Sequence, residues 1–121
     1  MKNNYQGLPV KKFIIYHNPR CSKSRETLEL LKSKGADITV IEYLKNPLSF
    51  DQLCELGKHF LPEDFVRKNE KTFKDLDLSI TDRDAIYRAI EEDPKLMQRP
   101  IVSCEGRSVI GRPPERILEL F

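Results

Sequence analysis

The chain has 121 residues, with 21 Lys or Arg against 19 Asp or Glu, a formal net charge of +2 and a hydrophobic fraction of 39%. That length suits one domain with one core, and the apolar share excludes a disordered chain. The near balance of charge argues against a nucleic-acid partner, no apolar run approaches the ~18 residues of a membrane span, and MKNNYQGLPVKK lacks the apolar middle of a signal peptide, so a cytoplasmic location is expected.

Residues 1–12, polar with Gly7 and Pro9, read as a flexible leader to a single domain over 13–121. Phe13-Ile14-Ile15-Tyr16 is a short β-branched and aromatic run closed by Asn18-Pro19, a buried strand ending in a turn. Cys21 follows at once, crowded by Arg20, Lys23 and Arg25, and cations beside a cysteine favour thiolate over thiol. Good helix formers run from Ser22 to Lys34, with Leu28 and Leu31 on one face, Leu30 beside them and Gly35 where a C-cap glycine belongs. Residues 38–44 return as a second strand, and strand, helix, strand in that order implies a right-handed parallel crossover.

The stretch from about 46 to 98 carries no strong strand signal and reads as a helical insertion. Ser49 with Gln52 forms a capping box for a helix expected to reach Phe60, with Leu53, Leu56 and Phe60 as its core face. Helical turns are expected around 63–69 and 71–76. Thr81 with Asp84 is expected to cap a helix whose stripe is Ala85, Ile86, Ala89 and Ile90, stopped by Asp93-Pro94. Residues 101–104 and 107–110, joined by Glu105-Gly106, read as a β-hairpin. Pro113-Pro114 opens a last helix carrying Ile117, Leu118 and Phe121.

The order βαβ, helices, ββα describes an α/β fold with a four-stranded mixed sheet. It places Cys21 between the C-terminal edge of the first strand and the N-terminus of the first helix, where backbone N–H groups and the helix dipole favour an anion. The other cysteines, Cys54 and Cys104, share no CxxC spacing with it, so neither a disulfide framework nor a metal site is expected, and both read as apolar fillers. Arg20 and Lys23 read as a solvated edge, and His59 near a helix end reads as unremarkable.

Residues 15–25 (Ile-Tyr-His-Asn-Pro-Arg-Cys-Ser-Lys-Ser-Arg) with Thr27-Leu28, then Val66-Arg67-Lys68-Asn69, Arg99-Pro100-Ile101-Val102 and Gly111-Arg112-Pro113, resemble the motifs of the glutaredoxin-coupled arsenate reductase (ArsC) family in order and over nearly the whole chain. The resemblance implies a thioredoxin/glutaredoxin-like fold in which Cys21 is the nucleophile. Arg67, Arg99 and Arg112 would then surround the oxyanion, with Pro100 as a cis-proline beside the site. It implies arsenate or a similar oxyanion as substrate, glutathione as co-substrate with no bound cofactor, and glutaredoxin as partner; a monomer is the default expectation for a chain of this size. His17 would tune the thiol or hydrogen-bond the turn, and Ser24 and Arg25 would add hydrogen bonds at the helix start. Ser22 and Lys23 stand where the family's active members carry glycine and threonine, and the chain lacks their longer C-terminal tail.

Two alternatives stand beside this reading. Redox-responsive regulators of Spx type, which bind RNA polymerase, share the fold but switch through a CxxC pair, and the position three after Cys21 is Ser24. The other is a glutathione-dependent thiol enzyme of the same superfamily with a different substrate.

Overall fold

The apolar run at Phe13 to Tyr16 lies within β1 (Lys12–His17), an inner strand of the sheet. The computed structural model describes residues 11–121, so the leader expected over 1–12 falls outside it except for its last two positions, the second of which already belongs to the strand. The remaining strands are β2 (Asp37–Glu42), β3 (Ile101–Cys104) and β4 (Arg107–Ile110), in the spatial order β2-β1-β3-β4. β1 is parallel to β2, with Phe13 opposite Ile38, and antiparallel to β3, with Ile15 opposite Val102. β3 pairs antiparallel with β4, and Glu105 and Gly106 turn between them at positive φ, 50° and 79°. This is the four-stranded mixed sheet with a helical insertion that the thioredoxin-like reading requires.

Alternation along the strands sends their side chains into two separate cores. Phe13, Ile15, Val102, Cys104 and Val109 pack with Leu31 of α1 (Ser22–Ser33) and with Ile117 and Leu120 of the closing segment. On the opposite face Ile101 meets the insertion, where Leu53, Phe65, Ile86, Ile90, Leu96 and Met97 are buried together. The insertion comprises α2 (Phe50–Gly57), α3 (Pro62–Phe65), α4 (Lys71–Leu76), α5 (Arg83–Glu92) and a 3-10 turn over Pro94–Leu96. The Ser49 capping box forms as expected, its hydroxyl accepting from Gln52 N while Gln52 Oε1 accepts from Ser49 N. No helix among the described residues is long and apolar enough to cross a membrane.

Four expectations are corrected. α2 stops at Gly57 rather than Phe60, because Arg83 of α5 donates to the carbonyls of both Gly57 (3.2 Å) and Phe60 (2.9 Å), taking them as a C-terminal cation does. α5 is capped by Asp82, whose carboxylate accepts from Ala85 N at 3.1 Å, whereas the Thr81 hydroxyl is bonded to Ser79 Oγ. The α5 stripe also includes Tyr87, which is buried. The closing segment, Pro114–Leu120, is a 3-10 helix: its three-residue repeat puts Pro114, Ile117 and Leu120 inside and leaves Leu118 39% exposed. Phe121 is likewise exposed along one side, although its ring stacks on Phe13 at 4.7 Å.

Candidate active site

Cys21 is the N-cap residue of α1, with extended dihedrals (φ −96°, ψ 121°) that turn the chain from strand to helix. The loop before it is tied down on every side. Cys21 N donates to Asn18 O at 3.0 Å, Arg20 N to Asn18 Oδ1 at 3.0 Å, and the Arg25 guanidinium to Pro19 O at 2.9 Å. Ser24, wholly buried, accepts from Asn18 N at 3.0 Å and shares a 2.6 Å hydrogen bond with His17 Nδ1. His17 and Ser24 therefore lock the end of β1 onto the first turn of α1, and Arg25 braces the outside of the loop. Burial pushes the His17 pKa below its ordinary value, with Arg25 and Lys32 adding to the effect and Glu42 opposing it.

Cys21 is nearly covered, at 8% exposure. Burial alone would raise its pKa. The Ser24 N–H, the donor and charge of Arg99 and the Lys23 N–H outweigh that, and the thiol is held below its usual value. No close capping hydrogen bond reaches the sulfur, yet the free N–H groups of the helix start are aimed at it. Lys23 contributes through its backbone: its side chain is exposed and pairs with Glu26 at 3.6 Å, and Ser22 also points to solvent. Burial raises the thiols of both Cys54 and Cys104, in keeping with inert fillers.

Three distant arginines meet at one pocket by different routes, Arg112 and Arg99 also acting on the sulfur. Arg112 follows Gly111, where a Cβ would lie 2.6 Å from Thr27 Oγ1 and 3.0 Å from Pro100 Cγ, so the bare backbone lets the end of β4 press against α1. Its Nη2 lies 3.7 Å from Cys21 Sγ, and its Nε donates to Arg99 O at 2.7 Å. Arg99 precedes Pro100 at the mouth of β3, and the Arg99–Pro100 bond is cis, as is Arg112–Pro113. The Nε and Nη1 of Arg99 are buried with no hydrogen-bond partner among the described residues.

Arg67 arrives through an isolated antiparallel bridge, Val66 to Met97, in which Arg67 N donates to Leu96 O (2.7 Å) and Gln98 N to Phe65 O (2.8 Å). Burial, Arg99 and Arg112 all push the Arg67 pKa down, while Glu70 supports its charge. The three guanidinium groups, with Glu63, Glu70 and Gln98, line a pocket of about 260 Å³.

The sequence reading missed Tyr43. It sits 2% exposed just past β2, and its hydroxyl is within electrostatic reach of Cys21, Arg99 and Arg67 and of the Asn18 side chain. Burial keeps it a neutral phenol. The signal was available: His17 pairs in parallel with Glu42, so the residues after each strand end side by side. Glu70 was also missed. Among the described residues no group of three or more His, Cys, Asp or Glu is placed to hold a metal ion.

A buried cysteine where the first strand meets the first helix, its thiol held below the usual pKa and the Arg112 guanidinium beside it, defines a protein of thioredoxin-like fold. The chain belongs to the ArsC family, whose sequence model matches residues 16–120. An Escherichia coli K12 protein described as uncharacterized, YfgD, is 44% identical over 116 residues, covering 92% of this chain and 98% of its own. An arsenate reductase of Haemophilus influenzae is 40% identical over 113 residues, 89% of this chain and 97% of its own. The solved structure of an arsenate reductase from Vibrio cholerae matches with a TM-score of 0.83 at 41% identity, over 93% of this chain and 100% of that one.

Proposed function

We propose that the chain is an oxidoreductase that reduces arsenate to arsenite, with Cys21 as nucleophile and glutathione and glutaredoxin as reductants. The observation that carries the reading is the pairing of an acidified sulfur, 3.7 Å from Arg112 Nη2, with an arginine beside it whose Nε and Nη1 are buried and unpartnered. Buried donors without acceptors are costly, and guanidinium groups gathered around one pocket suit an oxyanion. The similar proteins named arsenate reductase supply the choice of oxyanion.

In this reading the Cys21 thiolate attacks arsenic, an S–As bond forms, and one arsenate oxygen leaves as water after taking up protons from solvent. Arg67, Arg99 and Arg112 stabilise the charge on the remaining oxygens. The thiol of glutathione makes a second S–As bond and a second oxygen leaves as water. A glutaredoxin thiolate then attacks the glutathione sulfur: an S–S bond forms, the S–As bond breaks, and its electron pair takes arsenic(V) to arsenic(III). Hydrolysis of the last S–As bond releases arsenite and restores Cys21. One cysteine suffices because the resolving thiols come from outside the chain.

The test is arsenate-dependent NADPH oxidation with glutathione, glutathione reductase and glutaredoxin. Turnover by the native chain that disappears in Cys21→Ser supports the reading. No turnover by the native chain, with all components active on a control enzyme, sinks it.

A further inference from the structure

The three arginines of the pocket are not equivalent. Arg99 carries two buried donors with no partner among the described residues, and Arg112 divides its donors between the Arg99 carbonyl and the sulfur. Arg67 is already engaged: its Nη2 lies 3.2 Å from Glu70 Oε2, and its Nη1 donates to Lys95 O at 3.3 Å. That ion pair sits on the lining of the pocket, with only 27% of the Arg67 side chain and 36% of the Glu70 side chain exposed. A carboxylate and an oxyanion compete for the same forked donors.

We infer that Glu70 sets the affinity of this pocket for oxyanions by holding Arg67 until the incoming anion displaces it. Glu70 touches neither sulfur nor substrate and acts through Arg67, so it is a positioning residue. The inference rests on the reading of the pocket as an oxyanion site. The anion enters the pocket beside Arg99 and Arg112, and Arg67 exchanges its carboxylate partner for an anion oxygen. When the product leaves, Glu70 recaptures Arg67 and limits retention of abundant anions of the same shape. Of the two acidic residues on the lining, Glu70 is the one paired to an arginine of the trio. Glu63 is exposed there and serves as a control.

The experiment measures protection of Cys21 from iodoacetamide by inorganic phosphate and, separately, by arsenate, in the native chain, Glu70→Gln, Glu70→Asp and Glu63→Gln. Glu70→Gln keeps the size and removes the charge, and the half-protecting concentration is expected to fall about five- to tenfold, the screened worth of one charge-assisted bond. The same variant should lower KM for arsenate with little change in kcat. Glu63→Gln should stay within about twofold of the native value, and in an Arg67→Ala background Glu70→Gln should change nothing.

Half-protection equal in the native chain and Glu70→Gln overturns the role of Glu70 and leaves the oxyanion site intact. An undiminished effect of Glu70→Gln in the Arg67→Ala background overturns it as well. No protection in any variant overturns both the inference and the oxyanion reading. Protection without arsenate turnover overturns only the choice of arsenate, and the Glu70 comparison still decides the inference. Glu70→Asp restoring most of the native value shows that the charge, and not the bulk at this position, is what counts.

Discussion

Gly111→Ala tests whether the close approach of β4 to α1 is what delivers Arg112 to the sulfur. The added Cβ would stand 2.6 Å from Thr27 Oγ1, 3.2 Å from Thr27 Cγ2 and 3.0 Å from Pro100 Cγ. Neither neighbour gives easily: Thr27 is fully buried, with its hydroxyl donating to Lys23 O at 2.8 Å, and Pro100 is a ring. Overpacking of this kind costs about 1–3 kcal/mol, and losing the Thr27 bond adds about 1 kcal/mol. A total of about 2–4 kcal/mol corresponds to a drop in Tm of about 8–16 °C for a chain of this size. Calorimetry and urea unfolding measure the loss, and iodoacetamide at neutral pH reads the sulfur, whose alkylation should slow as Arg112 is pushed away. The double variant Thr27→Ala with Gly111→Ala removes two of the three contacts, so it should be less destabilised than the sum of the singles by about 1 kcal/mol or more. Strict additivity, or a Tm for Gly111→Ala within about 2 °C of native, would refute the argument.

Because Arg99 helps hold the Cys21 thiol below its ordinary value, Arg99→Met should move the pH midpoint of Cys21 alkylation upward and slow the reaction at pH 6 about tenfold, the worth of one bond to a charged group. Superposable pH profiles would contradict this, and Cys54 and Cys104 should lag behind Cys21 at every pH when the labelled peptides are resolved by mass. His17 has a folded pKa depressed from 6.5, so the unfolded chain binds the proton that the folded chain refuses. Stability should therefore fall as pH drops below 6.5, and urea unfolding of His17→Asn between neutrality and about pH 5.5 should show a shallower decline. Arg83→Ala frees the carbonyls of Gly57 and Phe60 and the Tyr87 hydroxyl from their shared donor. It should cost about 2–3 kcal/mol in urea unfolding and leave the Cys21 alkylation rate unchanged. A loss below about 0.5 kcal/mol would remove Arg83 as the clamp between α2 and α5.

Local signals carried the architecture well. β-branched runs, the Ser49 capping box and Gly35 at φ +69° are each decided by a few adjacent residues and appear where the sequence put them, except that the second strand closes at Glu42 and leaves Tyr43 and Leu44 in a turn. Errors fell where longer-range partners choose the outcome. The carbonyls at the end of α2 are claimed by Arg83, and the tail follows a three-residue period that an α-helical reading turns the wrong way. The same divide runs through the site. Cys21 was legible from its own neighbourhood, as a cysteine after a strand among cations. Arg67, Arg99 and Arg112 taken singly resemble any surface arginine, and their motif contexts alone marked them. What joins Arg67 to Arg99 is a bridge of one residue pair, Val66 to Met97, which leaves no periodic trace. Tyr43 could be read only by pairing β2 beside β1, whereas Glu70 owes its place to tertiary neighbours that nothing adjacent in the chain announces.

The groups that acidify the sulfur from its own helix are main-chain amides, which no point substitution other than to proline can delete. Positions 22 and 23 are therefore at liberty to drift: their side chains face outward at the rim of the reactive loop. Descendants of one ancestor can repaint that rim while the sulfur beneath keeps its acidity.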